Sequence, residues 1–196
     1  MSAKADGLGM ICDFIEAPEQ AAERVRGAPR TAWGVLAYIF AAASLYLAQA
    51  VLGKPAFLGV SGFSLALACF WSVAAGILLA AVIHLFAEAL GGTGRVLPLF
   101  VLLGFSELAW TLVVPATLIL QAVAPGSIWT CRLFFLAVGC VALSLKARSI
   151  RLNYGLPALQ SWVALLAPYA AIALLAALFM AAAVWGVVRQ VMNLWA

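Results

Sequence analysis

Long apolar segments separated by short polar ones make up the chain after residue 31. Five of these segments are long enough to cross a bilayer, which takes about 20 apolar residues in a helix. They occupy residues 32–52, 63–90, 96–123, 128–145 and 158–191. The pattern predicts an all-α polytopic membrane protein in which residues 32–196 form a bundle of five transmembrane helices.

The connection between the second and third spans is a sharply marked hairpin. Apolar residues give way to His84 and Glu88, three glycines follow between residues 91 and 94, and Arg95 precedes the next span. Glycine accepts the positive φ angle that ends a helix, so we interpret these residues as a helix stop and tight turn. A phosphate-binding loop is disfavoured, because no strand precedes the glycines and no Gly-Lys-Ser/Thr follows them.

The polar N-terminal segment, residues 1–31, has a different pattern. Leu8, Ile11, Phe14 and Ile15 fall at helical spacing, and Pro18 begins a second short helix. We expect an amphipathic segment lying on the cytoplasmic membrane surface, with a mobile tail as the alternative. Its apolar side is a candidate cytoplasmic interface formed by Phe14, Ile15 and Pro18.

Prolines lie inside two of the later spans. The third span is expected to be interrupted at Pro115, and Pro168 lies inside the fifth. Pro125 and Gly126 predict a turn.

A basic loop is expected over residues 146–157. Its charged residues are further candidates for the cytoplasmic interface: Lys146, Arg148 and Arg151. They either contact anionic lipid or serve only as a topology signal.

The composition supports a membrane location. Hydrophobic residues make up 67% of the 196 residues and charged ones 9%, with a mean hydropathy of +1.13; soluble domains carry about 25% charged residues. The net charge of +4 is spread along the chain, which argues against nucleic acid as a partner. The four cysteines show no CxxC pair, so we expect neither a disulfide nor a metal site, and no cofactor.

The positions of the basic residues predict the orientation. A cytoplasmic N-terminus places eight of the eleven lysines and arginines inside and leaves Lys54, Arg132 and Arg189 at or near the outer face. With five spans, the C-terminus is then expected outside.

Glu107 is the candidate intramembrane polar site. It lies eleven residues into the third span, about 16 Å from the start of that helix. An ionised carboxylate is costly at this depth, so it should be protonated or paired, and matching depths suggest Tyr169 or His84 as its partner. Two interpretations stay open: a proton or cation relay, and a structural glutamic acid hydrogen-bonded between helices.

Neither a metal centre nor an active site is expected. His84 and Glu88 share a helix face, but the further carboxylates and Glu-x-x-His pairs of a di-iron bundle are missing. The chain has one histidine, and both aspartates, Asp6 and Asp13, lie in the N-terminal segment. No Ser-His-Asp set is available for hydrolysis, so we do not expect an enzyme.

Three stretches together resemble the Yip family, five-span membrane proteins that interact with Ypt/Rab GTPases, and in particular its bacterial branch. They are FIEAPEQAAERVR near the N-terminus, HLFAEALGGTGRV with the following LLGFSELAWTLVVP, and the Arg148 to Ser161 stretch RSIRLNYGLPALQS. The resemblance implies a scaffold or adaptor in membrane organisation. The Asp-Leu-Tyr-Gly-Pro signature of eukaryotic members is missing, and Leu159-Gln160-Ser161 replaces a frequent Lys-Ala pair, so GTPase binding is not transferable.

The sequence therefore leads to three hypotheses about function. The first is a non-catalytic scaffold or adaptor of the Yip type, in a bacterial inner membrane, that binds another membrane protein, itself or membrane lipid. The second is a small transporter or ion- or proton-conducting subunit that uses Glu107. The third is an accessory subunit of a larger membrane complex.

Overall fold

The computed structural model describes residues 7–53, 59–123 and 127–195, and the regular structure in these ranges is helical. The helices are α1 (Gly7–Glu16), α2 (Pro18–Gly27), α3 (Thr31–Val51), α4 (Gly62–Ala89), α5 (Val96–Glu107), α6 (Val113–Val123), α7 (Ile128–Tyr154) and α8 (Ala158–Trp195). Five stretches are long and apolar enough to cross a membrane, which confirms the predicted all-α polytopic architecture. The predicted turn at Pro125 and Gly126, the residues Lys4, Asp6 and Lys54, and the side chain of Leu8 lie outside the described part.

Helix α5 is the centre of the bundle, because residues 98–106 are all buried. Helices α3, α4 and α7 pack around it. The contact with α3 is close enough to exclude side chains: a Cβ atom on Gly104 would lie 2.9 Å from the carbonyl oxygen of Gly34. Small residues at such a crossing let two membrane helices approach backbone to backbone. The core therefore forms around the third span.

The third span is interrupted one turn earlier than the sequence suggests. A 310 segment, Leu108–Leu112, separates α5 from α6, whereas Pro115 itself lies within α6. Proline removes the hydrogen bond to the carbonyl four residues before it, and its ring crowds that carbonyl. For Pro115 that carbonyl belongs to Thr111, inside the 310 segment. The proline thus affects the turn before it, and the predicted position is corrected accordingly.

Helix α7 continues through most of the predicted basic loop. Residues 146–154 are helical, so the prediction of a loop over 146–157 is wrong for this stretch. No proline or glycine interrupts it before Gly155, which has a φ angle of +70° and whose N–H donates to the carbonyl of Arg151. Gly155 therefore ends the helix. The charged residues end the apolar run but do not end the helix.

The N-terminal segment folds as two helices and packs on the bundle. The predicted helices α1 and α2 are present, and Pro18 is at the start of α2. Most of their apolar side faces the bundle: Phe14 contacts Phe105 of α5 at a ring-centroid distance of 5.8 Å, and Val25 is fully buried in the same core, whereas Ile15 is exposed. The protein interior replaces the lipid surface as the apolar environment, which corrects the prediction of a surface helix.

Helix α8 is divided into a packed part and an exposed part. Ser161, Ala164, Leu165 and Pro168 are buried against the bundle, where α8 contacts α4 and α7. From residue 170 to residue 190 every side chain that the structure describes is exposed. We call residues 170–190 the free half of α8.

Candidate functional site

Three polar side chains lie on the face of α7 that packs against α5. Lys146, Ser149 and Asn153 recur at spacings of three and four residues, which places them on one side of the helix, and all three are buried. Their partners, in order, are the carboxylate of Glu107, the hydroxyl of Ser106 and the backbone carbonyl of Arg95. We call this row of contacts the polar seam.

The first contact of the polar seam is an ion pair. Lys146 Nζ lies 2.6 Å from Glu107 Oε1, and the two side chains are 10% and 17% exposed. The prediction that Tyr169 or His84 pairs with Glu107 is corrected, because the lysine was assigned to a loop, whereas α7 carries it to the depth of Glu107. A partner of opposite charge lowers the cost of keeping a carboxylate at this level of the bundle.

A small cavity lies beside the ion pair. It has a volume of about 190 Å³, and its walls include Tyr38, Glu107, Lys146 and Tyr169. The hydroxyl of Tyr38 is buried and has no hydrogen-bond partner among the described residues. Two of the three predicted site residues, Glu107 and Tyr169, therefore line one cavity, together with a tyrosine that sequence analysis did not single out.

Glycines hold Tyr38 in this position. A Cβ atom on Gly76 would lie 2.5 Å from Cζ of Tyr38, and one on Gly104 would lie 3.2 Å from its Cε2. The ring also stacks on Phe100 at a centroid distance of 5.2 Å. Helices α3, α4 and α5 thus form a closely fitting slot for one aromatic ring. The hydroxyl is fixed beside the ion pair by packing rather than by a hydrogen bond.

His84, the third predicted site residue, belongs to a different group. Its Nδ1 lies 2.7 Å from the hydroxyl of Tyr154, and its Nε2 lies 3.4 Å from Oε1 of Glu88. With a hydrogen on Nε2 facing the carboxylate, the neutral ring accepts the Tyr154 hydroxyl hydrogen at Nδ1. His84 therefore ties α4 to the end of α7, and it is absent from the walls of the cavity beside Glu107.

The structure divides the predicted cytoplasmic interface into two groups. Phe14 and Pro18 are buried against the bundle, and Lys146 is 8% exposed in the polar seam. These three residues serve the protein interior and are not accessible to a partner. The accessible members are Ile15, Arg148 and Arg151.

The free half of α8 is a second candidate site. Ala173, Ala177 and Ala181 follow one another at four-residue intervals and are exposed. Large apolar side chains lie between them, with Phe179 78% exposed and Trp185 70% exposed. Such small residues at four-residue spacing let a second membrane helix pack closely.

The cysteines and the other possible metal ligands of the described residues are not clustered. All four cysteines are free, and no group of three histidine, cysteine or acidic residues is placed to hold a metal ion in the part of the chain that the structure covers. Neither the ion pair nor the alanine row needs such a group.

No family model, curated protein or solved structure matches the chain. The fold defines the class as a helical membrane protein with five potential spans. Within that class, the resemblance to the Yip family stays a prediction.

Proposed function

We propose that this protein is a non-catalytic membrane adaptor of the Yip type that binds another membrane protein through the free half of α8. The main observation in support is the exposure of that half. Over an apolar stretch of 18 residues, each of the other four spans buries between 17% and 56% of its residues inside the bundle, whereas the corresponding stretch of α8 buries none. A span that contributes so little to its own bundle is available to a neighbouring protein.

The sequence of the free half favours a helix as its partner. Lipid tails are as apolar as leucine, so burial from water does not drive association within a membrane, and close packing at small residues does. The row of Ala173, Ala177 and Ala181 offers small residues at which a second helix can pack closely. Exposure on every side leaves room for a transmembrane helix of a different protein.

The proposed orientation keeps the N-terminus in the cytoplasm of a bacterial inner membrane and the C-terminus outside. The positions of the arginines support this orientation. Arg26 and Arg95 line one cavity together with Gly155, and the N–H of Gly155 donates to the carbonyl of Arg151. These arginines therefore gather at one end of the bundle, together with Arg148 two turns before the end of α7. We call it the basic end, and such a bias is typical of the cytoplasmic side.

A photo-crosslinking amino acid at position 179 tests the adaptor proposal in cells. We expect covalent adducts of one distinct membrane protein from position 179, because Phe179 lies in the free half. Position 70 is the matched control: Phe70 on α4 is also an exposed phenylalanine, at 69% against 78%, and should crosslink lipid alone. Adducts would be identified by mass spectrometry.

Two results would contradict the adaptor proposal. One is equal crosslinking from both positions, which would mean random encounters in the membrane. The other is adducts between copies of this chain only. A stoichiometric enzyme or pump among the adducts would specify the adaptor as an accessory subunit of that complex.

The small cavity beside the ion pair favours a second candidate function, proton or cation translocation through Glu107. The hydroxyl of Tyr38 is unpaired and lines the same cavity as the Glu107–Lys146 ion pair. An exchangeable proton, a carboxylate and an ammonium group in one cavity are the components of a relay.

A flux measurement tests this second function. Vesicles containing the wild-type chain should dissipate a pH gradient, and the double variant Glu107→Gln/Lys146→Met should not, because it keeps the packing and removes both charges. The variant Arg148→Gln, altered at an exposed charge outside the cavity, should behave as wild type. Equal leakage from all three preparations would exclude the relay.

A further inference from the structure

A larger cavity opens at the basic end of the bundle, apart from the sites described above. Its volume is about 440 Å³, and it lies where α2 ends, α5 begins and α7 ends. Its lining includes Arg26, Gly94, Arg95, Asn153 and Gly155.

One side of this cavity is positively charged. Arg26 and Arg95 are exposed, and neither guanidinium has a carboxylate within ion-pair distance in the described part of the chain. Arg95 is also the residue before the first turn of α5, and no side chain caps that turn. The free N–H groups and the helix dipole add positive potential there. This side is suited to a phosphate group.

Asn153, which lines the other side of the cavity, carries an unpaired acceptor. Asn153 is 2% exposed, and its Oδ1 atom is buried without a hydrogen-bond partner among the described residues. Its Nδ2 donates to the carbonyl of Arg95 at 2.9 Å, which fixes the orientation of the amide. Buried acceptors in proteins are nearly always paired. An anion offers no hydrogen to this atom, so the missing partner is an N–H or O–H donor.

Gly94 helps to place the acceptor. A Cβ atom at this position would lie 2.7 Å from the backbone oxygen of Asn153 and 2.8 Å from its Nδ2. The glycine turn therefore packs directly on Asn153. The backbone of the turn therefore holds the acceptor beside Arg95.

We propose that this cavity binds a phosphate group whose substituent carries an N–H or O–H donor, supplied as the headgroup of a phospholipid such as phosphatidylethanolamine. The phosphate lies at Arg26 and Arg95, and the ammonium group donates to Asn153 Oδ1. The carbonyl end of α7, at Gly155, favours the same positive group. Two potential spans meet at this cavity, one beginning at Val96 and the other ending at Tyr154. With both helices across a bilayer, their ends lie at headgroup level.

Phosphatidylcholine is a matched control for the donor. It has the same phosphodiester and a positive charge at the same position, but its trimethylammonium group has no N–H. Native mass spectrometry of the full chain in detergent, with equal amounts of the two lipids, should show phosphatidylethanolamine bound at least about fivefold more tightly, since an unsatisfied buried acceptor costs roughly 1–3 kcal/mol. Equal retention of both lipids would overturn the proposal.

Variants at the arginines test the phosphate contact. Arg26→Gln and Arg95→Gln should each weaken phosphatidylethanolamine binding by about tenfold, as expected for a charge-assisted hydrogen bond. Arg148→Gln, at an exposed arginine of the basic end outside this cavity, should leave binding unchanged. Both arginines are exposed, so these variants are expected to fold, and thermal unfolding in detergent checks this. Equal losses in all three variants would indicate general attraction to a basic surface and overturn the site.

Soluble sn-glycero-3-phosphoethanolamine distinguishes the source of the phosphate. It carries the same headgroup without acyl chains, so at millimolar concentration it should leave the bound lipid in place. Displacement of the lipid by the soluble compound would identify a soluble ligand and overturn the lipid assignment. This inference does not depend on the adaptor function, since its measurements involve no protein partner.

Discussion

Replacing Lys146 by Met will lower the free energy of unfolding by about 3–5 kcal/mol, the largest effect that we expect from a single substitution. The substitution keeps an unbranched side chain of similar volume, one atom shorter, and removes its charge. It leaves the carboxylate of Glu107 buried without its partner, whose Nζ now lies 2.6 Å away. The measurement is reversible unfolding of the purified protein in mixed micelles of detergent and denaturing detergent.

A double-mutant cycle separates the ion pair from general packing. Glu107→Gln alone should also destabilise, because it leaves the ammonium group of Lys146 unpaired. The combination Glu107→Gln/Lys146→Met should recover most of the loss, since two neutral side chains of similar volume replace two charges. Additive losses in the double variant would show that the two charges do not stabilise each other.

Replacing Phe14 by Ala will lower the free energy of unfolding by about 3 kcal/mol or more, the usual cost of deleting a buried aromatic ring. Phe14 is 5% exposed and lies against Phe105 in the core. The neighbouring Ile15 is 74% exposed and is the matched control. Ile15→Ala should change stability by less than about 0.5 kcal/mol. Both variants can be measured by the same micelle titration.

The comparison of these two neighbours also tests the position of α1. If α1 lay on a lipid surface with its apolar side in the membrane, both substitutions would leave the unfolding of the bundle unchanged. A large effect at position 14 together with a small one at position 15 is expected only if α1 packs on α5.

Hydropathy was sufficient to predict the five spans, because the cost of exposing a polar backbone to lipid requires long apolar helices. The same signal misplaced the end of α7. Lys146, Arg148 and Arg151 end the apolar run, and the sequence analysis therefore assigned them to a loop. The spacing of Lys146, Ser149 and Asn153 continues the helical period and was the signal that could have revealed the polar seam.

The N-terminal helices show a second limit of sequence analysis. Apolar residues at helical spacing predicted α1, and Pro18 predicted the start of α2. The pattern does not tell whether the apolar side of such a helix faces lipid or protein, because both environments are equally free of water. That choice depends on an open face of α5, which is known only once the bundle is formed.

The slot around Tyr38 could not be predicted at all. It depends on Gly76 and Gly104, which lie 38 and 66 residues away in the sequence and meet the ring only after three helices pack. Glycine in a membrane helix has several explanations, so its presence alone does not indicate a ring contact. Steric fit of this kind is a property of the assembled bundle.

The 310 segment that follows Glu107 has a mechanical consequence. Toward the basic end, the N-terminal helices, α3, α4, α5 and α7 share one large buried cluster. Beyond the segment, the buried residues of the second cluster are only Ala48, Val113 and Val138 within the described chain. The protein therefore has a stiff half and a compliant half, joined at the level of the ion pair. Bending of α6 relative to α5 would leave the stiff half, with the cavity beside Tyr38, in place, because no residue of α6 lines that cavity.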